Sequence, residues 1–256
     1  MKIKIHYTYW LMAFSFVLCG YFINIIIFTS VILIHECGHL IMARINNFSV
    51  NSMIIYPYGG LIDIDIKRNE CIKRELLVAI GGILFQILLF FVMRYLYLFG
   101  IVRLYVYNIF LMYNTSILFF NLLPITSLDG SKIFCLLLYY FIPYKYVLKI
   151  EFYVSIIVVI FLCSINFYKV NYSFFLISFV IINKIILCYR NIDYNFLSFL
   201  MERYLYDYYF KRVKIINKID YMYRERRHIF KKDGVQMTEK EYLRSKFGVK
   251  NKKMFD

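Results

Sequence analysis

Residues 9–43 read YWLMAFSFVLCGYFINIIIFTSVILIHECGHLIMA, with no Asp, Glu, Lys or Arg before Glu36. At 1.5 Å of rise per residue, one helix of this length would reach about 52 Å, well beyond the roughly 30 Å hydrocarbon layer of a bilayer. The stretch therefore reads as two apolar helices folded into a hairpin, turning near Cys19–Asn24, where Gly20 and Asn24 interrupt the run. Lys2 and Lys4 before it give the start the look of a signal peptide. No A-x-A cleavage site follows and the apolar pattern continues, so an uncleaved first helix is expected.

The same pattern recurs along the chain. Further spans are expected from Glu75 to about Met93, Tyr105 to Leu123, Val147 to Ile165 and Tyr172 to Cys188, giving about six in all. Ile133–Ile142 is apolar but too short to cross, and reads as a half-buried or re-entrant helix. The whole chain of 256 residues is 61% hydrophobic, with 26 Tyr and 26 Phe. A soluble domain is nearer 45–50% apolar, which excludes an ordinary soluble enzyme, a disulfide scaffold and a disordered protein. The expected fold is an all-α polytopic membrane protein over residues 1–190, followed by a small basic cytosolic tail, 191–256. The six cysteines include no CxxC pair and read as small buried hydrophobes.

The net charge of +15 raises the question of nucleic acid, but its distribution answers it. Residues 190–256 hold 17 Lys+Arg against 9 Asp+Glu, and the rest hold 14 against 7. In the apolar part the cations fall between spans. With both termini in the cytoplasm, Lys2, Lys4, Arg44, Lys67, Arg68, Lys73, Arg74, Lys132, Lys145, Lys149 and Lys184 lie at inner ends. Only Arg94, Arg103 and Lys169 lie at outer ones. That is the positive-inside bias of a multi-pass protein in a lipid bilayer, with no nucleic-acid partner expected.

Between the second and third spans the periodicity changes. Leu61-Ile-Asp-Ile-Asp-Ile66 alternates with period two, Met53-Ile-Ile-Tyr56 is β-prone, and Pro57-Tyr-Gly-Gly60 supplies a turn. A β-hairpin abutting the cytoplasmic face of the helices is expected. In the tail, Phe199–Leu205 reads as an amphipathic helix, and Thr238-Glu-Lys-Glu241 as a capping box opening a helix that Gly248 would close.

The chemistry sits in His35-Glu-Cys-Gly-His39. Residues four apart on a helix lie about 40° apart around its axis, so the two imidazoles share a face and can bind one metal. Glu36 is set at the flank as a general base, and Cys37 faces away. Zinc suits two imidazoles and lowers the pKa of a bound water to about 7. An ionisable side chain at membrane depth costs about 2.5–3.5 kcal/mol on insertion scales, so this polar trio demands a function. His39 is five residues before Arg44, about 7.5 Å along a helix, shallow enough for water to enter. Catalytic zinc usually takes a third protein ligand. The carboxylates to choose among are Asp129, Glu75, Glu151, Asp63 and Asp65. Asp129, in NLLPITSLDG (121–130), follows a helix broken by Pro124; from spacing alone it reads equally as a ligand or as a helix cap. A metal transporter and a catalytically silent membrane scaffold are the rival readings.

HECGH within a span, then PYGG, then NLLPITSLDG, resembles the site-2 protease family of intramembrane zinc metalloproteases. With the FLMER stretch at 199–203 it is most similar to the sporulation branch, over roughly residues 9–215. The resemblance implies that His35, His39 and Asp129 bind Zn2+ and that Glu36 is the catalytic acid/base. It further implies that Asn121, Pro124, Gly59 and Gly60 help position substrate. Gly81-Gly82 with Ala79 match a small-residue turn of the third span, for which close helix packing is the plainer reading. The resemblance also implies a membrane-associated pro-sigma factor as substrate, inhibitory membrane-protein partners, the membrane around the forespore as location, and admits a homo-oligomer. The branch carries a nucleotide-sensing CBS domain after its last span. The tail here is short and rich in Tyr and Lys, a departure from that pattern. Leu61–Ile66 as an edge strand could hold a substrate extended by β-augmentation.

Overall fold

The computed structural model describes residues 2–57, 59–167, 172–210, 212–232 and 235–247. The chain divides into two compact units, Met1–Ile66 with Lys73–Leu123, and Lys67–Ile72 with Pro124–Asp256.

The first unit opens with strand β1 (Lys2–Ile5), then helices α1 (Tyr7–Leu18) and α2 (Phe22–Ile45), which form the expected hairpin with Gly20 at φ +79° in its turn. Strands β2 (Val50–Tyr56) and β3 (Gly59–Ile64) follow, then α3 (Ile72–Leu98) and α4 (Leu104–Leu122). β2 and β3 pair antiparallel, with Tyr56 opposite Gly59, and β1 adds parallel to β2, so the order is β1-β2-β3. The hairpin reading is borne out; Tyr58 of its turn lies outside the described residues. β1 was not anticipated, because Lys2-Ile-Lys-Ile5 resembles the charged start of a membrane segment more than a strand. Ile62 and Ile64 of β3 are half-buried while Leu61 and Asp63 are exposed, as period-two alternation requires. Met53 and Ile55 pack with Tyr9 and Leu40, which seats the sheet on α1 and α2. Val31, Tyr107 and Phe110 form the contact among α2, α3 and α4, joined by Leu89 and Met93.

In the second unit, α5 (Asp129–Leu138) is the short apolar helix, followed by α6 (Tyr144–Phe167) and α7 (Tyr172–Leu205). α7 carries the sixth apolar stretch and the amphipathic segment after it as one unbroken helix. Tyr144 stacks on Phe199 at 4.3 Å, which joins the start of α6 to the last turns of α7. The tail is folded. β4 (Val213–Ile216), β5 (Arg227–Lys232) and β6 (Val235–Thr238) form a second sheet, and α8 (Glu239–Phe247) packs against it, with Tyr242 stacked on Phe230 at 3.9 Å. The capping box is present: Thr238 N–H donates to Glu241 Oε2 at 2.8 Å, and Glu241 N–H to Thr238 Oγ1 at 3.4 Å. Gly248 lies outside the described residues.

Arg203, at the end of α7, is 3% exposed. It donates to Asn69 Oδ1 at 2.6 Å, to the carbonyls of Tyr223, Arg224 and Arg226, and to Glu239 Oε1 at 3.1 Å. Its neighbour Glu202 accepts from the backbone N–H groups of Arg68 and Asn69. The dipeptide thereby binds residues 67–72 to the tail.

Among the described residues, three helices are long and apolar enough to cross a membrane: α2, α3 and α6 over Tyr144–Ile165. α4 has the length, but Asn108, Asn114, Thr115 and Ser116 lower its apolarity. Trp10, Leu11, Phe14, Leu88, Phe91, Ile157 and Phe161 point outward and exposed, a surface suited to lipid and not to water.

Candidate functional site

His35 and His39 are one turn apart on α2, and both are buried, at 3% and 7% exposure. Their partners come from α3, which runs antiparallel beside α2. His39 Nδ1 lies 2.8 Å from the carbonyl oxygen of Val78, and His35 Nδ1 lies 3.0 Å from Oε1 of Gln86. Both acceptors oblige Nδ1 to carry the ring proton, so in the neutral imidazoles both Nε2 atoms present lone pairs. Those two atoms are 3.1 Å apart. Two lone pairs facing at this distance repel unless a cation lies between them. Two Zn–N bonds of 2.0–2.1 Å at a tetrahedral angle would place the nitrogens about 3.3 Å apart.

Gly82 keeps the space beside the two nitrogens open. A Cβ there would meet His39 Nε2 at 2.4 Å and His35 Cε1 and Nε2 at 2.6 and 2.8 Å. Val78, Gly82 and Gln86 follow one another at spacings of four, so one stripe of α3 supplies an acceptor, a gap and an acceptor. Gly81 serves helix contact instead. A Cβ on it would lie 2.7 Å from the backbone oxygen of Gly38, and one on Gly38 would lie 2.4 Å from that of Gly81. The packing reading thus holds for Gly81, while Gly82 faces the imidazoles. Asn121, near the end of α4, places Nδ2 3.3 Å from His35 Nε2.

Glu36 is 7% exposed, and its Oε1 accepts from the backbone N–H of Gly60 at 2.9 Å. A Cβ at Gly60 would fall 2.5 Å from Glu36 Cδ, so the hairpin can lie over this carboxylate only with glycine there. Gly59 is required by its own backbone, at φ +145°, with open space around its Cβ position. Cys37 is exposed on the opposite face of α2.

Asp129 belongs to the second unit. It is 6% exposed and is the first residue of α5, whose cap position is Leu128. Lys132 Nζ lies 3.3 Å from its Oδ1. Pro124 follows the end of α4 and opens the connecting loop, which Glu151 on α6 pins down. Glu151 Oε1 accepts from Thr126 Oγ1 at 3.1 Å and Ser131 Oγ at 2.7 Å, and Ser155 Oγ accepts from Thr126 N–H at 2.9 Å. Of the other open carboxylates, Asp63 and Asp65 are exposed on the hairpin, and Glu75 is half-buried in the first turn of α3. His35 and His39 in the first unit and Asp129 in the second are each buried, and two imidazoles with one carboxylate are ligand types that fit Zn2+ and similar cations.

The residues that sequence reasoning did not single out are Val78 and Gln86, and Gly82 in its role beside the histidines; Glu151, a candidate ligand by sequence, instead accepts from Thr126 and Ser131. Gln86 carried a usable signal, as the single amide in the apolar stretch between Glu75 and Arg94. Residues 23–105, which span α2, the hairpin and α3, match the model of peptidase family M50. Stage IV sporulation protein FB of Bacillus subtilis (strain 168) is 29% identical over 206 residues, covering 80% of this chain and 72% of that protein. Through α2, the hairpin and α3 the chain is similar to peptidase family M50. It is a metalloprotease and an integral membrane protein. The solved site-2 protease from Methanocaldococcus jannaschii shares the metalloprotease's fold, with a TM-score of 0.58 at 20% identity, over 72% of this chain and 90% of that one.

Proposed function

We propose that the protease is an intramembrane zinc endopeptidase in which His35, His39 and Asp129 hold the metal and Glu36 moves the proton. The observation that carries this reading is the pair of converging Nε2 lone pairs, 3.1 Å apart, beside the gap kept open by Gly82. The burial of Asp129 and the tethering of its loop through Glu151 support it as third ligand. Zinc, when bound, polarises a scissile carbonyl and makes a nearby water acidic enough to lose a proton near neutral pH.

The chain's own groups do the rest. Gly60 N–H fixes one oxygen of Glu36, leaving the other to take the water's proton and return it to the leaving amine. Asn121 Nδ2, close to His35 Nε2, is placed to donate to a substrate oxygen at the site. A helical substrate must be unwound before its carbonyls can be attacked. β3 lies at the edge of its sheet and can hold an extended segment by main-chain pairing, next to the Gly60 that touches Glu36.

The proposed topology is six spans with both termini in the cytoplasm. The proposed substrate is a membrane-associated pro-protein, of the pro-sigma class by the sporulation resemblance, with inhibitory membrane partners and the membrane around the forespore as location. The test is co-expression with a membrane-tethered pro-sigma protein. Wild type should release the shortened product and Glu36→Gln should not; equal processing by both would end the assignment.

A further inference from the structure

Gln86 is fully buried on an apolar helix, 0% exposed, and its Nε2 has no hydrogen-bond partner. Leaving a buried N–H donor unpaired costs about 1–3 kcal/mol, so an apolar residue would serve packing better. What Gln86 does provide is an acceptor for His35, with Oε1 at 3.0 Å from Nδ1. A neutral imidazole carries one proton. On Nδ1 it leaves Nε2 open toward His39; on Nε2 it would point across the 3.1 Å gap, turn the two rings into a hydrogen-bonded pair and shut out a cation.

His39 has its tautomer set by a backbone carbonyl, that of Val78, and no side-chain change can remove it. His35 depends on a side chain. We infer that Gln86 is a positioning residue that holds the proton on His35 Nδ1 and so keeps Nε2 available to the metal. An amide does this without placing a charge at membrane depth. The inference rests on the proposed metal centre.

The experiment uses the full chain purified in detergent, with Zn2+ and Co2+ affinities measured by chelator competition for wild type, Gln86→Leu, Gln86→Glu and His35→Ala. Gln86→Leu should bind both metals about 10–100-fold more weakly, with helix content and elution unchanged. Gln86→Glu, which restores an acceptor, should return affinity to the wild-type range. Wild-type affinity in Gln86→Leu overturns the inference, as does a Gln86→Glu as weak as Gln86→Leu, which would mark a packing defect. Unchanged affinity in His35→Ala overturns the metal centre itself, and the inference with it. Histidine 15N NMR of the metal-free wild type needs no folded variant. A protonated Nδ1 on His35 is expected, and a protonated Nε2 overturns the assignment.

Discussion

Gly82→Ala adds one methyl group beside the two imidazoles, where the structure has no room for it. The new carbon would sit 2.4 Å from His39 Nε2 and 2.8 Å from His35 Nε2, about 1 Å and about 0.6 Å inside ordinary van der Waals contact. It would occupy the volume that a metal bound to both nitrogens at 2.0–2.1 Å would need. The rings can yield only by turning away, and a shift of about 0.5 Å is enough to spoil a ligand constellation. Metal affinity should fall by at least about 100-fold and cleavage should fall to background. The helix itself gains, since Ala is favoured over Gly in a helix interior by about 1 kcal/mol. The variant should therefore stay folded. Gly81→Ala is the contrast: its methyl would strike the backbone of Gly38 on α2, where nothing can rotate away, so the fold and the activity should fail together. The assay is zinc per protein by mass spectrometry, thermal unfolding and cleavage on the same preparations. A Gly82→Ala protein with full zinc and normal cleavage would refute the reasoning.

The remaining predictions concern the groups around that gap and in the tail. Asp129→Asn should lower zinc occupancy, whereas Glu151→Gln should keep zinc, because Glu151 accepts from Thr126 and Ser131 in place of ligating; elemental analysis separates them. Gly60→Ala should leave zinc bound and lower kcat by about 10-fold or more, since its methyl would push Glu36 out of place. In the tail, burial holds His228 below its usual 6.5 despite the pull of Glu239, and its Nε2 accepts from Tyr223 N–H at 3.0 Å. Burial pushes Glu239 up, but the His228 hydrogen bond and the Arg203 charge outweigh it and hold the carboxyl below 4.5. Both groups bind fewer protons when folded, so stability present at neutral pH is lost on acidification, first below 6.5 through His228 and then below 4.5 through Glu239. Hydrogen exchange across β5 should quicken as pH falls through that window, after correction for intrinsic rates; constant protection would contradict it.

What could be read from the sequence was what neighbours along the chain decide. HECGH puts two imidazoles on one helix face by spacing alone, Pro57 and the glycines mark the hairpin, and Thr238 with Glu241 marks a helix start. What could not be read depends on partners distant in sequence. Whether Gly82 packs or faces a ligand is set by which turn of α2 lies opposite, and Gln86 gains its meaning only from its distance to His35. β1 exists because β2 offers an edge to pair with, and the four-residue strands β4 and β6 carry too few residues to show a period. The place of Asp129 is of the same kind: spacing marks it as near a helix start, and only the fold shows that it is the first residue of α5 and buried.

The central claim is that two imidazoles from α2 and one carboxylate hold a zinc ion. X-ray absorption at the zinc edge of the purified wild-type protein measures it most directly. The account predicts two imidazole nitrogens and oxygen ligands at about 2.0–2.2 Å, with no sulfur. A zinc–sulfur distance near 2.3 Å, or a first shell without imidazole, would contradict it.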